Sequence, residues 1–303
     1  MFFNSLSDYL KNTYGEKLYK LSLSCSTTCP NRDGTIGTGG CIFCSEGGSG
    51  DFATPASLPV TKQIELAKER LKGKKHGDRY IAYFQSYTGT YGDLDKLFNI
   101  YTETIQRPDI EILSIGTRPD CIGSDVLKRL EELNHIKPVW VELGLQTSNE
   151  ETAKLIRRGY GNSIYEKAVK DLNSIGVKVI THVIIGLPGE TEEDIKNTVL
   201  YAVDTGTWGL KLQLLHVLKN TELYEMYRRN EFKTLERDEY IDIICDILQI
   251  IPEDIVIHRL TGDGPKRILE SPLWSGNKRD VMNRMNHEFS VRNIRQGSLK
   301  RGT

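Results

Sequence analysis

A regular alternation of apolar, strand-like segments with amphipathic helical segments is the feature that most constrains the fold of this chain. The predicted strands cover residues 18–24, 80–84, 110–115, 139–145, 177–185 and 209–216, and the predicted helices between them cover residues 58–73, 93–106, 124–133, 150–157, 163–175 and 191–204. Apolar strands that alternate with helices are typical of a parallel sheet covered by helices on both faces. The pattern therefore predicts an α/β fold that forms a barrel or most of one.

Polar residues cluster where these predicted strands end. They lie at residues 85–88, 117–120, 142–146, 186–190 and 213–216. In barrels of this class the carboxyl ends of the strands carry the functional site. We therefore expect these segments to form one ring around the mouth of the barrel.

Four of the six cysteines lie within the loop after the first strand, namely Cys25, Cys29, Cys41 and Cys44. Convergent thiolates select zinc or an iron–sulfur cluster. In one interpretation all four cysteines form a structural zinc site. In the other, Cys29, Cys41 and Cys44 hold a 4Fe–4S cluster, and Cys25 is a small residue of the strand. The spacing alone leaves both interpretations open.

The composition limits the setting in which these cysteines act. With 303 residues, of which 38% are hydrophobic, the chain can bury a large core. No apolar run approaches the length of a membrane span, and the first residues lack the features of a signal peptide. We therefore expect a cytoplasmic protein without a membrane partner, in which clustered cysteines indicate metal or redox chemistry rather than disulfides.

The motifs together resemble those of the radical S-adenosylmethionine (SAM) superfamily. The spacing Cys29-x11-Cys41-x2-Cys44 departs from the usual C-x3-C-x2-C and resembles the Elongator-catalytic-subunit-like branch. Residues 28–34, 84–88, 116–120, 142–146 and 258–263 are similar to the bacterial YtqA/YhcC-like family. This resemblance implies a 4Fe–4S cluster on Cys29, Cys41 and Cys44 and S-adenosylmethionine as the second cofactor. It favours the cluster over zinc.

The resemblance also implies a division of the chain. Residues 1–220 are expected to form a partial (β/α)6 radical SAM barrel with its 4Fe–4S loop at 25–44. Residues 221–303 are expected to form a short α+β extension, helical and basic, that packs on the barrel. Within the barrel no protein residue is assigned a catalytic role.

A second radical SAM family, the oxygen-independent coproporphyrinogen oxidases, resembles this chain at individual SAM-binding positions. The resemblance implies that the adenine lies near Phe43, the backbone of Ile185 and Gly186, and Leu214. It implies that Tyr87 and Thr88 contact the methionine moiety, and that Gln146 and His182 contact the ribose. Arg158 would bind the carboxylate, which suits the planar fork of a guanidinium, and Arg157 is an equally placed rival.

The C-terminal end is basic. From His258 onward ten Lys or Arg oppose four Asp or Glu, although the whole chain has a net charge of −1. A basic end on a neutral protein predicts a polyanionic partner, with a solvated helix face as the alternative. We expect Lys278 and Arg279 to contact that partner and His258 and Arg259 to reach the reacting base.

The function implied by the resemblance is modification of tRNA, with reduced flavodoxin or ferredoxin as the electron donor. The implied target is the side chain of the wobble uridine, and conversion of carboxymethylaminomethyl-uridine to aminomethyl-uridine is one such reaction. Two alternatives stay open from the residues. One is a radical SAM enzyme that acts on a small molecule or a protein, and the other is a non-catalytic, zinc-stabilised RNA-binding protein.

Overall fold

A curled sheet of seven parallel strands forms the centre of the molecule, which we describe from a computed structural model covering residues 2–48, 50, 53–73, 77–262 and 264–299. In sheet order its strands are β1 (Tyr19–Leu23), β2 (Tyr80–Phe84), β3 (Ile110–Thr117), β4 (Val139–Gln146), β5 (Lys178–Ile185), β6 (Gly209–Leu214) and β8 (Val256–Arg259). Two short strands, β7 (Val217–Leu218) and β9 (Leu269–Ser271), pair antiparallel beside it. The predicted α/β partial barrel is confirmed.

Helices cover the outer face of the sheet and pack on it through a continuous apolar core. They are α1 (Leu6–Tyr14), α2 (Val60–Glu69), α3 (Leu94–Ile105), α4 (Ser124–Asn134), α5 (Glu150–Leu155), α6 (Asn162–Ser174), α7 (Glu192–Asp204), α8 (Glu222–Arg228), α9 (Arg237–Ile250) and α10 (Lys278–Val291). Short polar side chains fix several of their starts, because a side-chain oxygen accepts from an otherwise unpaired N–H of the first turn. Thr191 and Asp194, for example, form a reciprocal capping box at α7. None of the helices in the described part of the chain is long and apolar enough to cross a membrane.

The seventh strand comes from the C-terminal segment. β8 pairs parallel with β6, so the sheet continues across the expected boundary at residue 220 and has one strand more than the six expected. The division into residues 1–220 and 221–303 therefore separates parts of one sheet. The basic helix α10 packs on α9 and stays outside the sheet.

The concave face of the sheet encloses a lumen whose side chains lie in layers. At the amino ends of the strands an apolar layer closes it, built from Leu10, Leu18, Ile81, Ile112, Trp140 and Ile180. Leu10 belongs to α1, which covers this end. Because successive residues of a strand point to opposite faces, every second residue reaches the lumen. Lys20, Tyr83, Glu142 and His182 follow the apolar layer on their strands by two residues.

Both edges of the open sheet are paired with segments that are not strands of the sheet. At β8 the N–H of Ile257 donates to the carbonyl of Asn4 (2.8 Å), and Ser5 forms a parallel bridge with Ile257. At β1 the N–H of Thr54 donates to the carbonyl of Ser22 (3.1 Å). The sheet stays open between β1 and β8, but backbone groups on both edges have partners.

Candidate active site

Two adjoining cavities lie at the carboxyl ends of the strands, where the sequence predicted a ring of polar residues. The cysteine cavity, of about 110 Å³, is lined by Cys29, Cys41 and Cys44 together with residues of β2, β3 and β4. The lumen cavity, of about 390 Å³, extends toward β6, β8 and the loop after β6. Phe43, Cys44, Tyr83, Gln85 and Gln146 line both cavities, so they form one continuous site.

The cysteine loop is held by hydrogen bonds that direct three thiols to one place. Arg32 donates to the carbonyl oxygens of Cys44 (3.1 Å) and Ser45 (2.6 Å), and Asn31 donates to the carbonyl of Arg157 (2.6 Å). The hydrogen bond with Cys44 lowers the pKa of the Cys41 thiol to about 7, and the same bond together with burial raises the pKa of Cys44. The backbone N–H of Cys44 also donates to the carbonyl of Cys41 (3.0 Å), so these two cysteines lie in one turn.

Cys25 lies outside this cavity. Its sulfur is 3.4 Å from the hydroxyl of Tyr101, and burial raises its pKa. The structure therefore does not assemble the four cysteines of the zinc interpretation. In the described part of the chain, no three His, Cys, Asp or Glu side chains are close enough to share one metal ion. An iron–sulfur cluster has a different requirement, because thiolates bind separate irons of a multi-iron group.

Unpartnered polar atoms in the cavity walls test whether the site fits such a cofactor pair. The side-chain atoms Gln85 Nε2, Thr88 Oγ1 and Gln146 Oε1 are buried and have no hydrogen-bond partner among the described residues. All three residues line the cysteine cavity. Leaving a buried polar group unpaired costs about 1–3 kcal/mol, so these atoms indicate a polar ligand. Three thiols on one side and amide and hydroxyl groups on the other fit a 4Fe–4S cluster with SAM beside it.

Gln146 is also strained. A β-bulge interrupts the pairing of β4 with β5 between Gly144 and Gln146, and Gln146 has a φ of +66°. A non-glycine residue in this region costs on the order of 1–3 kcal/mol, and such residues concentrate at functional sites. The bulge turns the Gln146 side chain onto the wall of both cavities.

The contacts of Arg158 contradict the prediction that this residue binds the carboxylate of SAM. Its guanidinium donates to the carbonyl oxygens of Leu145 (3.0 Å), Thr147 (2.6 Å) and Tyr160 (2.9 Å). The remaining N–H groups reach Asn162 Oδ1 (2.9 Å) and Glu150 Oε2 (3.4 Å). Since an arginine has five N–H donors, none is left for a ligand. The rival, Arg157, forms an ion pair with Glu222.

The other predicted SAM contacts divide into two groups. The first group lies on the cavity walls. Tyr87 and Thr88 line the cysteine cavity, Leu214 lines the lumen cavity, and Phe43 lines both. Ile185 and Gly186 line neither cavity. The alternation of β5 directs Ile184 into the lumen and Ile185 into the outer core. The carbonyl of Ile185 already accepts from the N–H of Leu215 (2.9 Å).

His182 belongs to a buried cluster of ionisable groups that the sequence interpretation missed. Its Nε2 lies 2.7 Å from Glu142 Oε2, and its Nδ1 lies 3.4 Å from Gln213 Nε2, so both ring nitrogens have protein partners rather than a free edge for ribose. Lys20 (2.5 Å) and Lys211 (2.9 Å) donate to the same carboxylate. We call Lys20, Tyr83, Glu142, His182 and Lys211 the charged layer.

The charges within the charged layer keep Glu142 ionised. Against the effect of burial, Lys20 and Lys211 hold the pKa of Glu142 well below its usual range. Burial and the charge of Lys211 lower the pKa of His182 to about 4, so its imidazole is neutral near pH 7. Burial lowers the pKa of Lys211 to about 7. A sequence signal existed, because each charged residue interrupts an apolar strand, where lysine and glutamate are rarely buried.

The C-terminal cations have a mixed arrangement. Arg292 pairs with Asp242 of α9 (2.6 Å), and Arg284 approaches Asp238 of the same helix (3.6 Å), so acids outside the segment neutralise part of its charge. Lys278 and Arg279 are exposed at the start of α10. Asp263, Lys300 and Arg301 lie outside the described residues.

The two residues expected to reach a base have different places. Arg259 lines the lumen cavity. His258 does not line either cavity, because its ring packs between Trp140 and Trp208 with centroid distances of 5.4 and 5.5 Å. It therefore belongs to the closed end of the lumen, and the expectation that it contacts substrate is wrong.

Comparisons with known proteins agree with this geometry. The family model described as the radical SAM superfamily matches residues 24–202, and the model of the radical SAM C-terminal domain matches residues 207–290. The protein YtqA of Bacillus subtilis (strain 168) is 39% identical over 297 residues, which cover 98% of this chain and 92% of YtqA.

Two further relatives extend the comparison. A tRNA uridine(34) acetyltransferase of Methanocaldococcus infernus is 30% identical over 168 residues, which are 54% of this chain and 31% of that protein. The solved structure of Elp3 from Methanocaldococcus infernus, with an N-terminal deletion (1–46), superposes with a TM-score of 0.66 at 20% identity, over 92% of this chain and 64% of that one. The second comparison shows a shared fold.

Proposed function

The chain belongs to the radical SAM superfamily, and from that premise we propose that it modifies the side chain of the wobble uridine of tRNA. It is a radical SAM enzyme, and the cofactors of this family are a 4Fe–4S cluster and S-adenosylmethionine. The observation that carries the proposal is the continuity of the two cavities. A cofactor compartment beside three cysteines opens into a larger one that is lined by polar residues.

In this proposal Cys29, Cys41 and Cys44 hold the cluster. When bound, the cluster and SAM supply a deoxyadenosyl radical after one-electron reduction by flavodoxin or ferredoxin. Thr88 and Gln146 would hold SAM, because each has a buried atom without a partner among the described residues. Phe43, Tyr87 and Leu214 would add apolar wall.

The protein's own contribution is orientation and exclusion of water. Phe43 packs against an apolar cluster of Ile42, Ile156, Ile184 and Leu215 beside both cavities. This wall separates the site from solvent on the side of α8. The charged layer closes the site below, so a substrate enters from the mouth.

Two features support tRNA as the substrate. One is the relative whose name states an activity on tRNA uridine 34. The other is the place of the basic pair Lys278 and Arg279. They follow Ser275 by a few residues, and its hydroxyl lies 3.1 Å from Nε2 of His216, a residue on the wall of the lumen cavity. A basic rim beside the mouth suits a phosphate backbone, whose contacts position the nucleic acid.

The test is anaerobic incubation of the reconstituted protein with SAM, dithionite and tRNA from cells that lack the enzyme, followed by mass spectrometry of the nucleosides. We expect a change in mass confined to the wobble uridine, such as loss of the carboxymethyl group from carboxymethylaminomethyl-uridine. Cys41→Ala is the inactive control. Deoxyadenosine without any altered nucleoside would contradict the tRNA assignment and favour a small-molecule or protein substrate.

A second measurement tests the basic rim. Each neutralised phosphate contributes roughly −0.7 to −0.9 to the slope of log affinity against log salt concentration. Reversing Lys278 and Arg279 to Glu should flatten that slope by about 1–2 and weaken tRNA binding. Lys170→Glu, an exposed lysine of α6, is the matched control. An unchanged slope in the double variant would remove this rim from the interface.

A further inference from the structure

The floor of the lumen cavity carries more positive than negative charge. Lys211 and Arg259 both line this cavity, and Lys20 lies just below, bound to Glu142. Among the described residues that line the two cavities, Glu142 is the sole carboxylate. His182 adds no charge near pH 7, because its pKa is lowered to about 4. One anion therefore faces Lys20, Arg259 and Lys211, and Lys211 is about half protonated at pH 7 because its pKa is lowered to about 7.

Lys211 is built into this floor with one donor left for the cavity. Its ammonium donates to Glu142 Oε2 (2.9 Å) and to the hydroxyl of Tyr83 (3.0 Å), and a lysine has three N–H donors. Its side chain is 9% exposed, and that exposure faces the lumen cavity that it lines. A buried cation with an incomplete set of partners is costly unless an anion completes it.

We propose that Lys211 and Arg259 form an anion-binding site that holds a carboxylate of the substrate and thereby selects nucleobases with an acidic substituent. This inference rests on the proposed function and gives it a chemical basis for substrate choice. Arg259 offers a planar fork that matches a carboxylate, and Lys211 offers a point charge. Together they hold the end of a substituent at the bottom of the cavity.

A carboxylate fits this place better than a phosphate of the nucleic-acid backbone. A phosphodiester continues into sugar on both sides, so both neighbours would have to enter a cavity of about 390 Å³. A carboxylate ends its substituent and enters alone. In the proposed function, backbone phosphates instead contact the exposed rim at Lys278 and Arg279.

Proton uptake should accompany binding. Lys211 is faced by Lys20 on β1, Tyr83 on β2, Ser114 on β3, Glu142 on β4, His182 on β5, and His258 and Arg259 on β8. Burial and the cations Lys20 and Arg259 lower its pKa, and Glu142 opposes them. A bound carboxylate adds a second anion and raises the pKa of Lys211 again. At pH 8 binding should therefore take up a substantial fraction of one proton, and at pH 6 much less.

The experiment compares 5-carboxymethyluridine with 5-methyluridine by calorimetry, using reconstituted protein with an oxidised cluster and SAM so that no turnover occurs. Two buffers of different ionisation enthalpy report the proton uptake. We expect the acidic nucleoside to bind at least about ten-fold more tightly, as a hydrogen bond to a charged group implies. Lys211→Met should remove both the preference and the proton uptake, and Arg259→Gln should reduce the preference. Lys170→Met is the matched control.

Each outcome decides the proposal. Equal affinities in the wild type, or a preference that survives in both variants, overturn it. If Lys211→Met weakens SAM itself and leaves the nucleoside preference intact, the site serves the carboxylate of SAM and the substrate assignment is wrong. Melting curves show whether Lys211→Met folds. If it does not, the nucleoside preference of Arg259→Gln decides the proposal. Failure of the proposed function is read separately in the tRNA assay, as formation of deoxyadenosine without any altered nucleoside.

Discussion

Replacement of Arg158 by alanine separates the structural role of this arginine from a role in SAM binding. The side chain is 1% exposed and gives all five N–H donors to protein acceptors, three of which are main-chain carbonyls. The variant removes the guanidinium from these acceptors, and the carbonyl of Leu145 then keeps only the N–H of Thr147 (2.9 Å). Each buried acceptor that is left unpaired costs about 1–3 kcal/mol. Its guanidinium also lies 4.9 Å from the centre of the Tyr160 ring, which adds about 0.5–1 kcal/mol.

We therefore expect Arg158→Ala to lower the free energy of unfolding by about 4–6 kcal/mol, a large fraction of the stability of a typical domain. Arg158→Lys, which keeps a charge and three donors, should lose about half of that. Urea unfolding followed by far-UV circular dichroism measures both. Arg157→Ala is the matched control, because it removes only a partly exposed ion pair with Glu222, worth about 0–1 kcal/mol.

SAM binding to the folded Arg158→Lys variant completes the comparison. If Arg158 acts through the fold, this variant should bind SAM within about three-fold of the wild type, which is less than 1 kcal/mol. The opposite result, an Arg158→Ala protein that unfolds like the wild type and loses SAM affinity by more than ten-fold, would refute this reasoning. It would restore the carboxylate contact that the sequence predicted.

The remaining predictions concern the cluster, the half-buried carboxyl of Glu190 and the buried carboxyl of Glu142. Cys41→Ala should remove the iron from reconstituted protein and Cys25→Ala should not, as measured by iron content and visible absorbance. Burial raises the pKa of Glu190 to about 7, above the unfolded value, so its contribution to stability is full below about pH 4.5 and is lost as the pH rises through 7. Glu190→Gln should therefore stabilise by less than about 1 kcal/mol at pH 5 and by up to about 3 kcal/mol at pH 8 in urea titrations. Equal effects at both pH values would contradict this. Glu142→Gln should destabilise by about 3–5 kcal/mol at pH 7, because buried lysines lose their counter-ion, and a thermal melt that matches the wild type would exclude this role.

The fold was predictable because it depends on patterns that survive without coordinates. Apolar strands between amphipathic helices specify a parallel sheet, and the observed strand bounds differ from the expected ones by few residues. The cysteine spacing likewise identified a loop that the structure brings to the carboxyl ends of the strands. The features that depend on hydrophobic periodicity and on cysteine spacing could therefore be predicted from the sequence alone.

Side-chain partners were not predictable in the same way. Arg158 and Arg157 are neighbours, and only the positive φ of Arg157 and the carbonyls around Arg158 decide which one is buried. On β8 a register shift between Leu210 and Lys211 brings Arg259 opposite Lys211, whereas His258 packs between two tryptophans. Such outcomes depend on bulges and on contacts between distant strands, which a linear pattern does not record.

The pairing of both sheet edges has a consequence for self-association. An unclosed sheet offers rows of backbone donors and acceptors that invite a second molecule to add a strand. Asn4 and Ser5 occupy that position at β8, and Thr54 occupies it at β1. The barrel can therefore remain open without growing into a continuous sheet of many copies. Removing residues 2–5 would expose the β8 edge, and the truncated protein should then aggregate by adding strands to that edge.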